Sequence, residues 1–242
     1  MKEFRIADEV YVSVDRSGAV FLDVVHDRYT GVSSTQLRGM SGIVSDWPAS
    51  SVGEDVLSAA EETNVFSMVE SLMAQGLLTR SPRRDKPVLQ VQLARPSKSI
   101  SADGVLEEPD RICTHHILNI VCAYLAAVFT LKVISLSCAL RRLAASAANR
   151  PRGGAALDLA TARRLVAIFK RLRPLLYTAK SACLLDSIVL IRFLAAYKIH
   201  PAFVIGVTSE PFGAHCWCQH GDIVFNEEPA YAEQFSPILC IR

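Results

Sequence analysis

The sequence has almost no net charge and no apolar segment at its N-terminus. Its 26 Lys and Arg residues nearly balance 24 Asp and Glu residues, for a formal charge of +2 over 242 residues. That balance argues against bulk electrostatic binding to nucleic acid. The first ten residues, MKEFRIADEV, carry charges where an export signal requires a continuous apolar stretch. We therefore expect a cytoplasmic protein that binds no nucleic acid.

The seven cysteines lack the short, regular spacing of a disulfide-stapled secreted domain. They are odd in number and spread along the chain, which is typical of reduced thiols in the cytosol. Half of the residues are hydrophobic, so a chain of this length can bury a sizeable core.

Charges of one sign are missing from two long stretches. Between Arg38 and Arg80 there are six acids and no Lys or Arg, whereas residues 141–180 hold ten Lys or Arg and the single acid Asp158. This contrast in sign indicates two separate units. The basic stretch itself is more typical of a solvated helix face than of a surface dedicated to an acidic partner.

The first predicted domain covers residues 1–85. Residues 10–32 alternate apolar and polar positions around two turn signals, which predicts three short antiparallel strands. A helix is expected from Ser33 or Ser34 to about Ser45, and another over Ala59–Gln75, where Gly76 ends it. The following LLTRS resembles a wing strand. Residues 86–112, rich in Pro, Ser, Arg and Asp, are predicted to be a linker.

The second predicted domain, residues 113–242, places helices before strands. Helices are expected over residues 117–145, 158–173 and 182–197, followed by a buried strand at 202–207 and a hairpin formed by AHCWCQ and DIVFNE. The apolar run at 117–131 falls short of the roughly 18 to 20 residues that a span requires. We interpret it as a buried core helix and expect no membrane span.

Cys183 and His215 are the candidate reactive pair. Cys183 lies at the start of the nearly all-apolar helix ACLLDSIVLIRFLAAY, where Thr178 or Ser181 could cap the helix and the aligned backbone dipoles favour a thiolate. His215 begins a strand that could cross this helix end. A cysteine at a helix N-terminus facing a strand histidine is the arrangement that papain-like and transglutaminase-like folds use for acyl transfer. By spacing alone, a buried cysteine such as Cys183 is more often an inert core residue.

The residue that orients His215 is left open between two neighbours. If His220 and Gly221 form a two-residue hairpin turn, His215 faces Asn226 across the ladder. Glu227 then points away, unless a bulge or the strand end redirects it.

A metal site in AHCWCQHGD is disfavoured by strand alternation. Alternation divides this segment between two faces, so four ligands cannot converge from one strand. The Cys and His residues at 113–116 match no usual zinc spacing. The two faces are His215, Trp217 and Gln219 on one side, and Cys216, Cys218 and His220 on the other.

The motifs ACLLDS, PFGAHCW and FSPIL give residues 165–240 a specific resemblance to the B proteins of lasso peptide biosynthesis, which are transglutaminase-like leader peptidases. The resemblance implies Cys183 as nucleophile and His215 as base. The family's third residue is an Asp that follows an Asn, and here that position holds Glu227, with Asn226 as the rival. The implied α+β fold is a small winged-helix-like leader-binding domain followed by a transglutaminase/papain-like cysteine peptidase domain.

The segment VFLDVVHDRYTGVSS resembles the recognition element that binds leader peptides of ribosomally synthesised, modified peptides by extending its sheet. This resemblance implies a leader-binding strand edge, supported by the helix around Val65 to Leu72. The implied substrate-binding residues are Val20, Phe21, Leu22, Asp23, Val24 and Val25.

The resemblance also implies a function, partners and a bacterial cytoplasmic location. The chain would bind the leader of a lasso precursor peptide and cleave it off, freeing the core N-terminus for macrolactam formation by an ATP-dependent cyclase. No cofactor is implied in the chain itself, and any ATP dependence would come through the cyclase. The alternatives are a papain-like thiol acyltransferase or amidase on the same residues, and a non-catalytic leader-binding adaptor.

Overall fold

The computed structural model describes residues 4–37, 40–48, 59–81, 93–101, 111–148, 157–178 and 182–242. The chain divides into two compact units. The first comprises Met1–Pro87 with Val207–Ala214 and Ser236–Ile238, and the second comprises Val88–Gly206 with His215–Phe235 and Leu239–Arg242.

The first unit contains a three-stranded antiparallel sheet. Its strands are β2 (Val10–Val14), β3 (Gly18–Asp23) and β4 (Arg28–Ser33), in the order β2-β3-β4. Asp15 and Asp23 close the two turns, because each carboxylate accepts backbone N–H groups from the residues that follow it. The prediction of three antiparallel strands over residues 10–32 is confirmed.

The first unit also contains three helices and a second, two-stranded sheet. The long helix α3 (Ala59–Ala74) ends one residue before its predicted end at Gln75, and Gly76, at φ +74°, terminates it. Of the helix expected through residue 45, Ser34–Leu37 and Met40–Ile43 are helical, and residues 38 and 39 lie outside the described residues. The predicted wing strand pairs with the start of the chain and not with the three-stranded sheet. The elements are β1 (Arg5–Ile6), α1 (Ser34–Leu37), α2 (Met40–Ile43), α3 (Ala59–Ala74) and β5 (Leu78–Thr79), with β1 and β5 antiparallel.

The prediction that Val20–Val25 forms a peptide-binding strand edge is wrong. Strand β3 is the central strand, hydrogen-bonded to β2 on one side and to β4 on the other, so its backbone cannot pair with an added peptide. Five of the six predicted residues, Val20, Phe21, Leu22, Asp23 and Val24, are buried, and Val25 is half exposed in the turn. Val65 and Leu72 likewise face the unit's own core.

The second unit places its helices before most of its sheet, as predicted. Helix α7 (Cys183–Ala195) has eight buried residues, which confirms the central helix expected over residues 182–197. Asp158 caps α6 by accepting the N–H groups of Ala160 and Thr161. The helices are α4 (Thr114–Phe129), α5 (Leu136–Ala148), α6 (Leu159–Leu172), α7 (Cys183–Ala195) and α8 (Pro229–Ala232), and a π-helical turn, Thr130–Ile134, joins α4 to α5.

Helix α4 is buried on one face only. Its buried residues are His116, Ile120, Ala123 and Ala127, and Asn119 donates a hydrogen bond to the carbonyl of Phe193 in α7 at 3.0 Å. Within the described chain, one helical stretch, Thr114–Ile134, has the length and the apolar composition needed to cross a membrane. Of its 18-residue apolar window, 22% is buried. The prediction of a buried core helix therefore holds for one face of α4, and the opposite face is exposed.

A five-stranded sheet in the order β10-β7-β8-β9-β6 completes the structure. Strand β6 lies within the predicted linker, where it pairs in parallel with β9, and the next residue, Ile100, is buried. This part of residues 86–112 is thus a sheet strand and not a linker, because its backbone completes the ladder beside β9. The strands are β6 (Lys98–Ser99), β7 (Ala202–Thr208), β8 (Gly213–His220), β9 (Ile223–Val224) and β10 (Ser236–Ile241).

The hairpin between β8 and β9 turns later than predicted. Gln219 pairs with Val224 and His220 pairs with Ile223, so the two turn residues are Gly221 and Asp222 and not His220 and Gly221. Gly221 has φ +58°, a conformation that glycine adopts without steric cost. The shift changes the partner of Gln219 from the expected Asp222 to Val224, where the ladder ends.

Candidate active site

Cys183 is the first residue of α7. The residue before it, Ala182, is the N-cap and provides no side-chain hydrogen bond, so the expected capping by Thr178 is not observed, and Ser181 lies outside the described residues. Cys183 is partly exposed although the helix behind it is buried. Its position at the N-terminus places the sulfur at the positive end of the helix dipole, which favours a thiolate.

The structure brings the three residues Cys183, His215 and Glu227 together. Nε2 of His215 lies 2.8 Å from Oε2 of Glu227, and the His215 side chain is also hydrogen-bonded to Cys183. Because Nε2 is engaged with the carboxylate, Nδ1 is the ring nitrogen that remains for the thiol. The sulfur, the imidazole and the carboxylate thus form one continuous chain of polar contacts.

The pKa values of these three residues shift in the directions that favour an ion pair between Cys183 and His215. Hydrogen bonds from the Cys216 thiol and from His215 lower the pKa of Cys183 to about 4, against the opposing effect of burial. Burial acts to lower the pKa of His215, but its hydrogen bonds to Cys183 and Glu227 outweigh burial and raise that pKa to about 9. Burial opposes a lower pKa at Glu227 as well, yet the hydrogen bond to His215 lowers it. At neutral pH the site therefore holds a thiolate, an imidazolium and a carboxylate.

Cys216 contacts the Cys183 sulfur, contrary to the alternation argument that turned it away from the site. Both its thiol and its backbone N–H are hydrogen-bonded to Cys183. Cys218, two residues further, is fully enclosed, and its thiol donates to the carbonyl of Ser187 at 3.4 Å. Burial raises the pKa of Cys218, the opposite direction to the shift at Cys183.

Asn226 does not contact His215 in this arrangement. Its Oδ1 accepts the backbone N–H of Cys218 at 2.8 Å, and its Nδ2 donates to Asp186 at 3.0 Å. Glu227 reaches His215 because the ladder has ended at Val224, so strand alternation no longer determines where its side chain points. Of the two residues left open by the sequence, Glu227 is the one placed at the histidine.

Aromatic side chains surround the imidazole. Trp217 stacks nearly parallel to His215 at 6.3 Å between centroids, Tyr231 meets it edge-on at 5.1 Å, and Phe235 lies at 5.3 Å. A Cβ at Gly206 would lie 2.7 Å from the Trp217 ring and 2.8 Å from Phe235. The absence of a side chain at Gly206 thus lets these rings close against the histidine.

Sequence reasoning missed the buried carboxylate of Asp186 and its partners. Asp186 lies in the first turn of α7, and Arg173 and Tyr177 both hydrogen-bond to it. The available signal was the acid itself, because a single Asp in a helix that is apolar all round must find a partner in the core. Within the described part of the chain, no group of three or more His, Cys, Asp or Glu residues is placed to hold a metal ion.

This fold and site define a class of proteins with a cysteine at the start of a buried helix and a histidine on an adjacent sheet. Residues 125–240 match the family described as the transglutaminase-like superfamily. This part of the chain is therefore a transglutaminase-like superfamily domain, and that superfamily includes cysteine peptidases and acyltransferases. Comparison with curated proteins and comparison with solved structures each found no match.

Proposed function

We propose that the protein is a cysteine peptidase that removes the leader from a ribosomally made lasso precursor peptide. The observation that carries the enzymatic part is the continuous contact from Cys183 through His215 to Glu227. The leader-peptidase part is supported by the resemblance of ACLLDS, PFGAHCW and FSPIL to the lasso B proteins.

In the first half-reaction, the Cys183 thiolate attacks the carbonyl carbon at the end of the leader. The backbone N–H of Cys183, at a helix start where amides have no intrahelical acceptor, is placed to donate to the developing oxyanion. As the C–N bond breaks, the His215 imidazolium transfers its proton to the departing amine. The products of this step are the free N-terminus of the core peptide and a thioester between the leader and Cys183.

In the second half-reaction, neutral His215 takes a proton from water as the water oxygen attacks the thioester. The carbon–sulfur bond breaks, the leader leaves with a carboxylate, and the thiolate–imidazolium pair is restored. Glu227 keeps the imidazole oriented through Nε2 in both halves and stabilises its charged form.

Leader binding is proposed at the outer edge of β4. Because β3 is paired on both sides, a peptide that extends the sheet must add to an outer strand. In the three-stranded sheet β4 is an outer strand beside β3, and most of Arg28–Ser33 is exposed or half-buried. The partners would then be the precursor peptide and, for ring closure of the freed amine, an ATP-dependent cyclase in the bacterial cytoplasm.

The test uses the purified protein and a candidate lasso precursor peptide, in oxygen-18-labelled water. Hydrolysis predicts a leader product with a labelled C-terminal carboxylate, and Cys183→Ala should abolish this product while leader binding survives. Transfer of the leader to an added amine without label would identify an acyltransferase instead. Leader removal that persists in Cys183→Ala would refute the assignment, and binding without any cleavage by the wild type would identify an adaptor.

A further inference from the structure

A buried ionic network lies directly behind the candidate active site. In the first turn of α7, the Asp186 side chain is 4% exposed, and Nη1 of Arg173 lies 3.2 Å from each of its carboxylate oxygens. The Tyr177 hydroxyl donates to the same carboxylate at 2.9 Å. A buried carboxylate with this many donors is held firmly in place.

The side-chain amide of Asn226 connects this network to the sheet. Nδ2 donates to Asp186 at 3.0 Å and to the Ser187 hydroxyl at 3.1 Å, and Oδ1 accepts the backbone N–H of Cys218 at 2.8 Å. One residue is thereby tied to the helix that begins with Cys183 and to the strand that carries His215. The residue after it is Glu227.

We infer that Asn226, anchored by Asp186, is a positioning residue that holds Glu227 against His215. The ladder ends at Val224, and one more backbone hydrogen bond, from the N–H of Phe225 to the carbonyl of Cys218 at 2.9 Å, ties the chain to β8. Beyond Phe225, a side-chain restraint continues this attachment. The amide of Asn226 supplies that restraint through three hydrogen bonds. This inference rests on the proposed role of Cys183, His215 and Glu227 as the reactive site.

The test measures alkylation of Cys183 by iodoacetamide as a function of pH, which requires no peptide substrate. In Asn226→Ala, the pH at which the rate falls by half on acidification should rise by about one unit, because His215 loses part of the Glu227 charge that stabilises the ion pair. Ser187→Ala, which removes one acceptor of the amide without exposing a buried charge, should shift the midpoint less and in the same direction. Asn119→Ala, the loss of an amide that bonds a carbonyl elsewhere in the same unit, is the matched control and should leave the midpoint unchanged.

A double variant separates positioning from a general loss of stability. If Asn226 acts through Glu227, Asn226→Ala combined with Glu227→Gln should shift the midpoint no further than Glu227→Gln alone. Additive shifts, or a lower melting temperature in both Asn226→Ala and Ser187→Ala with an unchanged midpoint, would overturn the inference. A correct midpoint shift with no peptide cleavage would instead leave it standing and count against the proposed function.

An independent feature is the exposed face of α4. Leu118, Leu125, Phe129 and Val133 are each between 55% and 65% exposed, and with the exposed Cys122 they follow helical spacing along one side of Thr114–Ile134. We call these five residues the apolar stripe. The 18-residue window has a mean hydropathy of 2.2, and continuous exposed apolar surface of this kind marks a binding site.

The charges that flank the apolar stripe along the sequence are of one sign. From residue 111 to residue 157 the sequence has six Lys or Arg and no Asp or Glu, and the exposed Lys132 lies next to Val133. The buried face of α4 packs on α7, so the helix can lie along a bilayer surface while attached to its domain. We propose that the apolar stripe docks on an anionic lipid surface, as interfacial helices with basic surroundings do.

Flotation with vesicles of phosphatidylcholine and phosphatidylglycerol tests this docking. The full-length protein should bind these vesicles, bind pure phosphatidylcholine vesicles less, and lose binding as salt is raised. The variant Leu118→Ser/Leu125→Ser/Phe129→Ser should bind roughly tenfold more weakly. The control Leu175→Ser, at a residue 79% exposed outside the stripe, should not change binding. Equal binding by the triple variant, absence of binding to either vesicle, or a dimer in solution that the triple variant dissociates would each refute the proposal.

Discussion

The lowered pKa of Cys183 predicts selective alkylation of this residue in mild acid. With a pKa of about 4 in place of 9.0, Cys183 is about nine-tenths thiolate at pH 5, whereas an ordinary thiol of pKa 9.0 is ionised in roughly one molecule in ten thousand. A low-pKa thiolate is intrinsically a weaker nucleophile. With a Brønsted coefficient of about 0.45, the five-unit difference reduces the rate per thiolate by roughly 180-fold.

The two effects combine into a preference that depends on pH. At pH 5 the larger thiolate fraction dominates, and Cys183 should react about 50-fold faster than an ordinary thiol. At pH 7 the two effects nearly cancel, and the rates should differ by less than about twofold. Selectivity should thus appear on acidification and disappear near neutrality, which is the reverse of the behaviour of a thiol that is merely more exposed.

The assay is timed iodoacetamide labelling followed by peptide mass spectrometry, which resolves Cys183 from the other six cysteines. Cys183→Ser supplies the background. The reasoning is refuted if labelling of Cys183 falls tenfold for each pH unit between 7 and 5, since that slope is the signature of an unperturbed thiol.

Three further outcomes follow from the same site. Peptide cleavage should rise through about pH 4 as Cys183 ionises and fall through about pH 9 as His215 loses its proton, measured as kcat/KM, and a single ascending limb near pH 8 would contradict the ion pair. Glu227→Gln should lower kcat by roughly 10²- to 10⁴-fold and move the alkaline limb to lower pH, whereas the neighbouring change Glu228→Gln should do neither. Gly206→Ala should lower the free energy of unfolding by about 1–3 kcal/mol, because the added methyl overlaps the adjacent tryptophan and phenylalanine, and chemical denaturation showing wild-type stability would rule this out.

Local signals in the sequence predicted individual elements well. The strands between residues 10 and 32 and the buried helix at Cys183–Ala195 follow from patterns of apolar residues that span only a few turns or strands. The pairing of Cys183 with His215 was accessible because a helix start and a strand start are both visible locally. Their association in space was expected from acyl-transfer folds and from the resemblance.

Long-range and register features could not be obtained in the same way. The neighbour of β3 on each side, the pairing of Lys98–Ser99 with β9, and the exposed face of α4 depend on which elements meet, and periodicity does not encode that. The hairpin illustrates the sensitivity to detail, since moving the turn by one residue changes the partner of Gln219 from Asp222 to Val224. This shift by two residues leaves Asn226 on the face of His215 in a regular ladder, so the contact of Glu227 with His215 follows from the end of the ladder and not from the turn. Cys216, which lies inside β8, was misplaced because alternation assigns side chains to the two faces of a strand and does not show where a helix terminus lies beside it.

The short ladder of β9 also affects which acid, Asp or Glu, can occupy position 227. A residue inside a regular ladder has its side chain aimed by the pleat, so a side chain longer by one methylene would overshoot its target. Glu227 lies three residues beyond the last ladder pair, Gln219 with Val224, where the local path of the backbone can take up the extra length. An Asp or a Glu at this position is therefore compatible with an unchanged sheet, and either acid can retain the geometry that meets the histidine.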